Sequence, residues 1–178
     1  MVLGTPNLLD GSLASHLLSQ SAEILALLRS NHAKLVTAES CTGGLLAALL
    51  THHAGSSDVL EGGLVTYSNG LKMSVLGVRS TTLSDCGAVS AETVKEMVAG
   101  ALRVSPDASV AISVSGIAGP SGGSEEKPVG LVWFGIMVRG KPAEAYHKIF
   151  SGDRTAVRSQ AAAYAFTLIS ASLASGTP

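Results

Sequence analysis

The stretch from 33 to 45, AKLVTAESCTGGL, constrains the fold more than any other. An apolar run, Leu35 to Ala38, breaks into Glu39-Ser40-Cys41-Thr42 and two glycines, and a helical pattern starts at Leu45. Ser40 thus falls at a strand-to-helix turn, in the mouth of the following helix. Amide N–H groups there lack intrahelical partners, and the macrodipole favours negative charge. Gly43 and Gly44 let a ligand approach the backbone closely. A serine in this place can attack a carbonyl while neighbouring amides hold the oxyanion. The same residues also read as an N-cap serine before a glycine-softened helix start, because Ser and Thr are favoured caps.

The rest of the chain alternates strands and helices. Residues 1–10 read as a loose arm, and Asp10-Gly11-Ser12 signals a helix that runs to about Ser30. Lys34 to Ala38 is the first strand, and the second helix is expected from Thr42 to Thr51. His52 and His53 close that helix, where cations are favoured, and His16 reads as a surface or packing residue. Glu61 to Tyr67 is a second strand, with Ser68-Asn69 capping a short helix from Gly70 to Leu76 that carries Lys72. Thr81 to Cys86 fits a further helical turn, and Ser90 caps a clear amphipathic helix. Ala108 to Val114, ASVAISV, is apolar enough for a central strand. A glycine-rich loop, 115–130, leads to a strand at Leu131–Val138, a turn at Arg139-Gly140-Lys141-Pro142 and a returning strand at Ala143–Phe150. A long helix carrying Arg154 and Arg158 follows Ser151-Gly152-Asp153, and residues 174–178 are expected to fray. This alternation predicts a single domain: a three-layer α/β/α sandwich on a mixed, mostly parallel sheet.

Composition narrows the function classes. With 46% hydrophobic and 14% charged residues, 178 residues can bury a large core, and 4% aromatics means that Ala, Val, Leu and Ile build it. A net charge of −1 without a basic run argues against nucleic-acid binding through a cationic face. Two cysteines, Cys41 and Cys86, make neither a zinc set nor a disulfide framework, which indicates the cytosol. The first residues lack the pattern of a signal peptide, and no apolar run is long enough to span a bilayer.

Ser40 needs a base, and no histidine lies near a strand end. Lys72 is the alternative, since parallel strand ends would bring it beside Ser40. Its pKa must then fall from about 10.4 toward roughly 7–8, through burial or a nearby cation. The competing reading is a solvated helix lysine. Tyr67 would stand between the two and relay a proton or orient the amine, or else pack as a strand-end aromatic. The 115–130 loop, with Gly116, Gly119, Gly122 and Gly123, reads as an anion cradle or as a plain surface loop; it is neither a P-loop nor a dinucleotide fingerprint. Arg154 and Arg158, one turn apart, could fork a phosphate or pair with surface acids such as Asp153.

Several segments taken together resemble the CinA C-terminal-domain family. They are TAESCTGG at 37–44, GGLVTYSNGLK at 62–72, GAVS at 87–90, SGIAGPSGGSEEKPVG at 115–130 and SGDRTAVR at 151–158. The resemblance runs from about 33 to 166, and the order of the motifs is more specific than any one of them. It implies a three-layer α/β/α fold, a dimer, and an enzyme that hydrolyses nicotinamide mononucleotide to nicotinate mononucleotide and ammonia without metal or cofactor. By the same resemblance, Ser40 is the nucleophile, Lys72 its partner and Tyr67 the motif tyrosine. Ser115 stands where many relatives have threonine, and Arg154 is the arginine of GDR. Cys41, Thr42, Gly43 and Gly44 would surround the oxyanion, and the 5′-phosphate would lie on Gly116–Gly123 or against an arginine. Many relatives carry an extra N-terminal domain resembling molybdopterin-binding proteins. At this length it is not expected, nor is the pyrophosphatase activity associated with it. The alternative class is a non-catalytic nucleotide-binding module in a competence or DNA-repair setting, needing neither Ser40 nor Lys72.

Overall fold

β1 (Leu35–Glu39) is buried along its whole length, as an apolar strand covered on both faces must be. It pairs in parallel with β2 (Leu60–Val65) on one side and with β3 (Val110–Gly116) on the other. β4 (Leu131–Val138) runs antiparallel to β3, and β5 (Glu144–Ile149) antiparallel to β4. The sheet order is β2-β1-β3-β4-β5, so four of the five strands point the same way and β4 alone is reversed. The computed structural model describes residues 11–174; the expected arm at 1–10 and the tail from 175 lie outside these.

Helices cover both faces, giving the expected three layers. α1 (Gly11–Ser30), α2 (Leu45–Thr51) and α6 (Arg154–Ala174) close one apolar core against the sheet, with Leu28, Leu46, Ile112, Phe134 and Phe166 at its centre. α3 (Asn69–Leu76) and α5 (Ala91–Val104) close the other around Val36, Leu76, Met97 and Ala111. α4 (Ser80–Asp85) packs on α5. Local chemistry sets the boundaries. Ser68 and Ser90 hydroxyls cap α3 and α5, accepting from Leu71 N and Thr93 N, and Asp153 Oδ1 accepts from Ala156 N at the start of α6. The second helix begins at Leu45, where the helical pattern starts, and not at Thr42. Gly43 and Gly44, at φ 62° and 91°, hold a left-handed turn that no helix can include.

The order β2-β1-β3 places a topological switch beside β1, and ligands of open α/β sheets bind at such points, outside the carboxyl ends of the strands. Backbone bonds extend the pairing past those ends: Ser40 N donates to Val114 O, and Thr66 N donates to Glu39 O. Two glycines let helices settle where the site needs them. A Cβ at Gly63 would lie 2.4 Å from Ala47 Cβ, so β2 and α2 meet without side chains between them. A Cβ at Gly100 would lie 1.9 Å from Leu76 O, so α5 fits under the last turn of α3 only as glycine. Gly100→Ala therefore pushes α3 off α5. It is expected to lower stability by about 1–3 kcal/mol, read as a lower urea midpoint at unchanged slope.

Candidate active site

Ser40 follows the last residue of β1, and Lys72 lies in the first turns of α3. Both are buried, Lys72 to 1% exposure. Lys72 Nζ lies 2.9 Å from Ser40 Oγ, 2.9 Å from Thr66 O and 3.1 Å from Tyr67 O. Among the described residues no carboxylate pairs with it. Burial pushes its pKa below the ordinary lysine value, opposed only weakly by the Cys41 sulfur. The three contacts suit a neutral amine. A neutral amine would donate its two N–H bonds to the two carbonyls and accept from the Ser40 hydroxyl, whereas an ammonium would donate to all three oxygens, and burial favours the neutral form. α3 makes this possible: its N-cap Ser68 follows directly on the segment whose carbonyls hold the amine.

Glu39, which sequence reasoning passed over, organises the turn after Ser40. It is fully buried, and its carboxylate accepts from Thr37 Oγ1, Gly44 N, Leu46 N and Ala47 N at 3.0–3.2 Å. It thus takes the orphan amides of α2 that were expected to face a ligand, and Ser40 is not that helix's cap; Gly44 is. Gly43 N is also spent, donating to Ser40 O. Of the amides expected to hold an oxyanion, those of Cys41 and Thr42 have no backbone acceptor among the described residues, and the Cys41 amide faces its own sulfur. The signal for Glu39 was a carboxylate at the end of an otherwise apolar strand, immediately before a helix start. The Cys41 thiol is pushed up to about 12, chiefly by burial, so it is no competing nucleophile.

The outer residues are placed differently from expectation. The Tyr67 side chain does not stand between Ser40 and Lys72. Its main-chain carbonyl holds the amine, while its ring is 58% exposed and its hydroxyl accepts from Arg154 Nη2 at 3.3 Å. Arg154 and Arg158 diverge rather than fork together. Arg154 Nη1 donates to Gly119 O, whereas Arg158 Nη2 donates to Thr42 O at 2.8 Å and steadies the turn after Ser40. Ser115 Oγ donates to Ala88 O, tying the end of β3 to the 87–90 segment. The loop glycines serve packing. A Cβ at Gly116 would lie 2.7 Å from Leu131 O, and one at Gly123 2.7 Å from Val129 N; Gly119 is pressed against Val129 Cγ1. A Cβ at Gly122 would make only an ordinary contact, 3.8 Å from Ile117 Cγ2, but its φ of 92° favours glycine. Among the described residues no group of three His, Cys, Asp or Glu is placed to hold a metal ion, and no helix is long and apolar enough to cross a membrane.

The family model described as the CinA C-terminal domain matches residues 18–173, nearly all of the described chain. The chain belongs to the CinA C-terminal-domain family. Nicotinamide-nucleotide amidohydrolase PncC of Escherichia coli K12 is 50% identical over 151 residues, covering 85% of this chain and 91% of that protein. A CinA-like protein of Thermotoga neapolitana is 45% identical over 139 residues, 78% of this chain and 33% of that longer protein. Among solved structures, a competence damage-inducible protein A from Klebsiella pneumoniae superposes with a TM-score of 0.86 at 40% identity, covering 90% of this chain and 99% of that one. A competence/damage-inducible protein from Agrobacterium tumefaciens gives 0.84 at 40% identity, covering 87% and 94%. The CinA fold and the three-layer arrangement agree.

Two outcomes check this geometry. Glu39→Gln turns its amide N–H₂ toward at least one backbone N–H, either the Gly44 and Leu46 pair or Ala47, and is expected to cost about 1–3 kcal/mol, measured by urea unfolding. Cys41 should stay unmodified by iodoacetamide at pH 8 in the folded protein and react once it is unfolded, as followed by mass spectrometry.

Proposed function

We propose that this chain is an amidohydrolase that converts nicotinamide mononucleotide to nicotinate mononucleotide and ammonia, a salvage reaction of pyridine nucleotides. The carrying observation is Lys72 Nζ at 2.9 Å from Ser40 Oγ with two carbonyls on its other sides and no carboxylate paired with it among the described residues. The printed name of the PncC relatives at 50% identity supports the substrate.

The mechanism follows from the site. Neutral Lys72 takes the Ser40 proton as Oγ bonds to the carboxamide carbon, and the carbonyl π pair moves onto oxygen. The Cys41 and Thr42 N–H groups hold that oxyanion. Lys72 then gives its proton to the amide nitrogen, the C–N bond breaks, and ammonia leaves an ester on Ser40. Water, deprotonated by Lys72, adds to the ester; the C–Oγ bond breaks, Ser40 recovers its proton, and the carboxylate product departs. No step needs a metal ion or a redox partner. The exposed Tyr67 ring gives the cationic pyridinium a π face. Arg154, exposed at the start of α6 and held by Gly119 O, suits the 5′-phosphate. The reading places the protein in the cytosol as a homodimer without nucleic-acid or membrane partners.

Ammonia release from nicotinamide mononucleotide, with nicotinamide riboside alongside, tests the proposal. Release from the mononucleotide is expected to fall at least about 10³-fold in Ser40→Ala. Full turnover in that variant, or binding without turnover in the parent, would move the reading to a non-catalytic nucleotide module. Lys72→Arg, which cannot shed its proton, is expected to lose about 10²–10⁴-fold. The sign of the pH dependence is set by the lowered Lys72 value. kcat/KM should rise with pH through that value, as the amine becomes neutral, and then level off. Stability should move the same way. The unfolded chain binds this proton more tightly than the folded one, so stability falls as pH drops from the unfolded lysine value toward the folded one. Lys72→Met should flatten that slope in urea titrations across pH.

A further inference from the structure

The turn after Ser40 hangs on one peptide unit. Gly43 N donates to Ser40 O at 3.0 Å and closes residues 40–43 into a tight turn. The other end of that peptide, Thr42 O, accepts from Arg158 Nη2 at 2.8 Å and from Leu45 N at a longer 3.3 Å. Cys41 and Thr42, whose amides are assigned to the oxyanion, are the two residues inside the turn. Little in the turn itself fixes its shape. It runs into Gly43 and Gly44, at φ 62° and 91°, and glycine rotates more freely than other residues. The guanidinium lies alongside: a Cβ at Gly43 would stand 3.7 Å from Arg158 Nη2. Its root is firm, since Val157 and Ser159, its neighbours on α6, are both buried. Among the described residues no carboxylate pairs with Arg158, and its Nε is buried without a hydrogen-bond partner. A group left so lowers stability. An unbranched apolar side chain would avoid that cost, and would lack the charged N–H on Thr42 O.

We propose that Arg158 is a positioning residue of the amide hydrolysis, acting through the peptide between Thr42 and Gly43 rather than on the substrate. The inference rests on the amidohydrolase reading of Ser40 and Lys72. A guanidinium N–H on Thr42 O fixes the plane of this peptide and polarises it, which strengthens the Gly43 N–H bond to Ser40 O. Both ends of the peptide are then held, and the Thr42 amide keeps one direction while charge develops on the substrate's carbonyl oxygen. Arg154 differs: it is exposed at the start of α6 and is assigned to the 5′-phosphate. A residue that shapes the turn serves the transition state, so its loss falls on kcat. A phosphate ligand would show instead in KM and in the preference for mononucleotide over riboside.

The test compares Arg158→Gln and Arg158→Lys with the parent in steady-state hydrolysis of nicotinamide mononucleotide, with Arg154→Gln alongside. Arg158→Gln is expected to lower kcat about 10–10²-fold while KM stays within about twofold of the parent. Arg158→Lys, which keeps a charged donor, should recover part of that loss, and Arg154→Gln should instead raise KM. Parental kcat in Arg158→Gln would overturn the proposal, as would a raised KM at unchanged kcat or an equal loss in both Arg158 variants. The clamp is also read without turnover, by backbone amide exchange followed by NMR in the ligand-free chain. Gly43 N–H should exchange at least about tenfold faster in Arg158→Gln, while Leu46 and Ala47 N–H, held by Glu39, keep the parent's rates. Unchanged Gly43 exchange would overturn the proposal, and so would faster exchange at all three, which marks general loosening. Absence of turnover in the parent would defeat the amidohydrolase reading, and the exchange comparison would still decide whether Arg158 holds this turn.

Discussion

An amine buried without a counter-ion is the constraint on which this structure turns. Removing Lys72 from water disfavours its charged form by several kcal/mol, and the protein supplies only two carbonyls and a hydroxyl in exchange. Those three oxygens can serve either form in hydrogen bonds, so it is the burial, with no charge to offset it, that favours the neutral amine. Much of the neighbouring fold serves to hold this arrangement. Ser68 starts α3 at the register that points residue 72 inward, Gly77 ends it in a left-handed cap, and Gly100 lets α5 press against its last turn. Thr66 N, bonded to Glu39 O, keeps the carbonyl segment level with the end of β1.

The second organising group is Glu39, one residue before Ser40 and buried like Lys72. It faces four hydrogen-bond donors, three of them helix amides. A carboxylate fixed at the start of α2 does what a bound anion would do there. In the proposed mechanism this leaves the Cys41 and Thr42 amides, upstream of the helix, as the oxyanion donors. Arg158 then clamps the same short turn from the side through Thr42 O. Ser40, the turn and Lys72 are thus each held through backbone groups rather than by loose surface side chains. In the proposed mechanism such rigid support keeps the Ser40 hydroxyl within range of Lys72.

Much of this was legible in residues alone. The apolar run before Glu39, the glycines at 43 and 44, the helix cap at Ser68 and the alternation of periodicities gave the three-layer fold and put Ser40 at a strand end and Lys72 on the short helix after the neighbouring strand. The outer residues were less legible for a physical reason. Arg154 and Arg158 sit one helical turn apart, which suggests a fork, yet each is drawn to a different carbonyl, Gly119 O or Thr42 O. Tyr67 has the right position and acts through its backbone, which no side-chain pattern reports. The glycines at 116 and 123 look like a cradle but are required by close approach of the loop's returning arm, a contact distant in sequence.

What the sequence by itself determined is therefore local: where strands end, where helices are capped, and which chemical groups stand at those ends. These follow from periodicity and from backbone preferences of individual residues, which act within a few positions. What only the tertiary structure decided is which donor meets which acceptor. Lys72 meets Ser40 across 32 residues, and Arg158 meets Thr42 across 116. Glu39, though close in sequence to its partners, faces the helix amides only because the glycine turn swings α2 back over it. Such pairings depend on how the layers stack and on how little water is left between them, and neither is written in the spacing of residues along the chain.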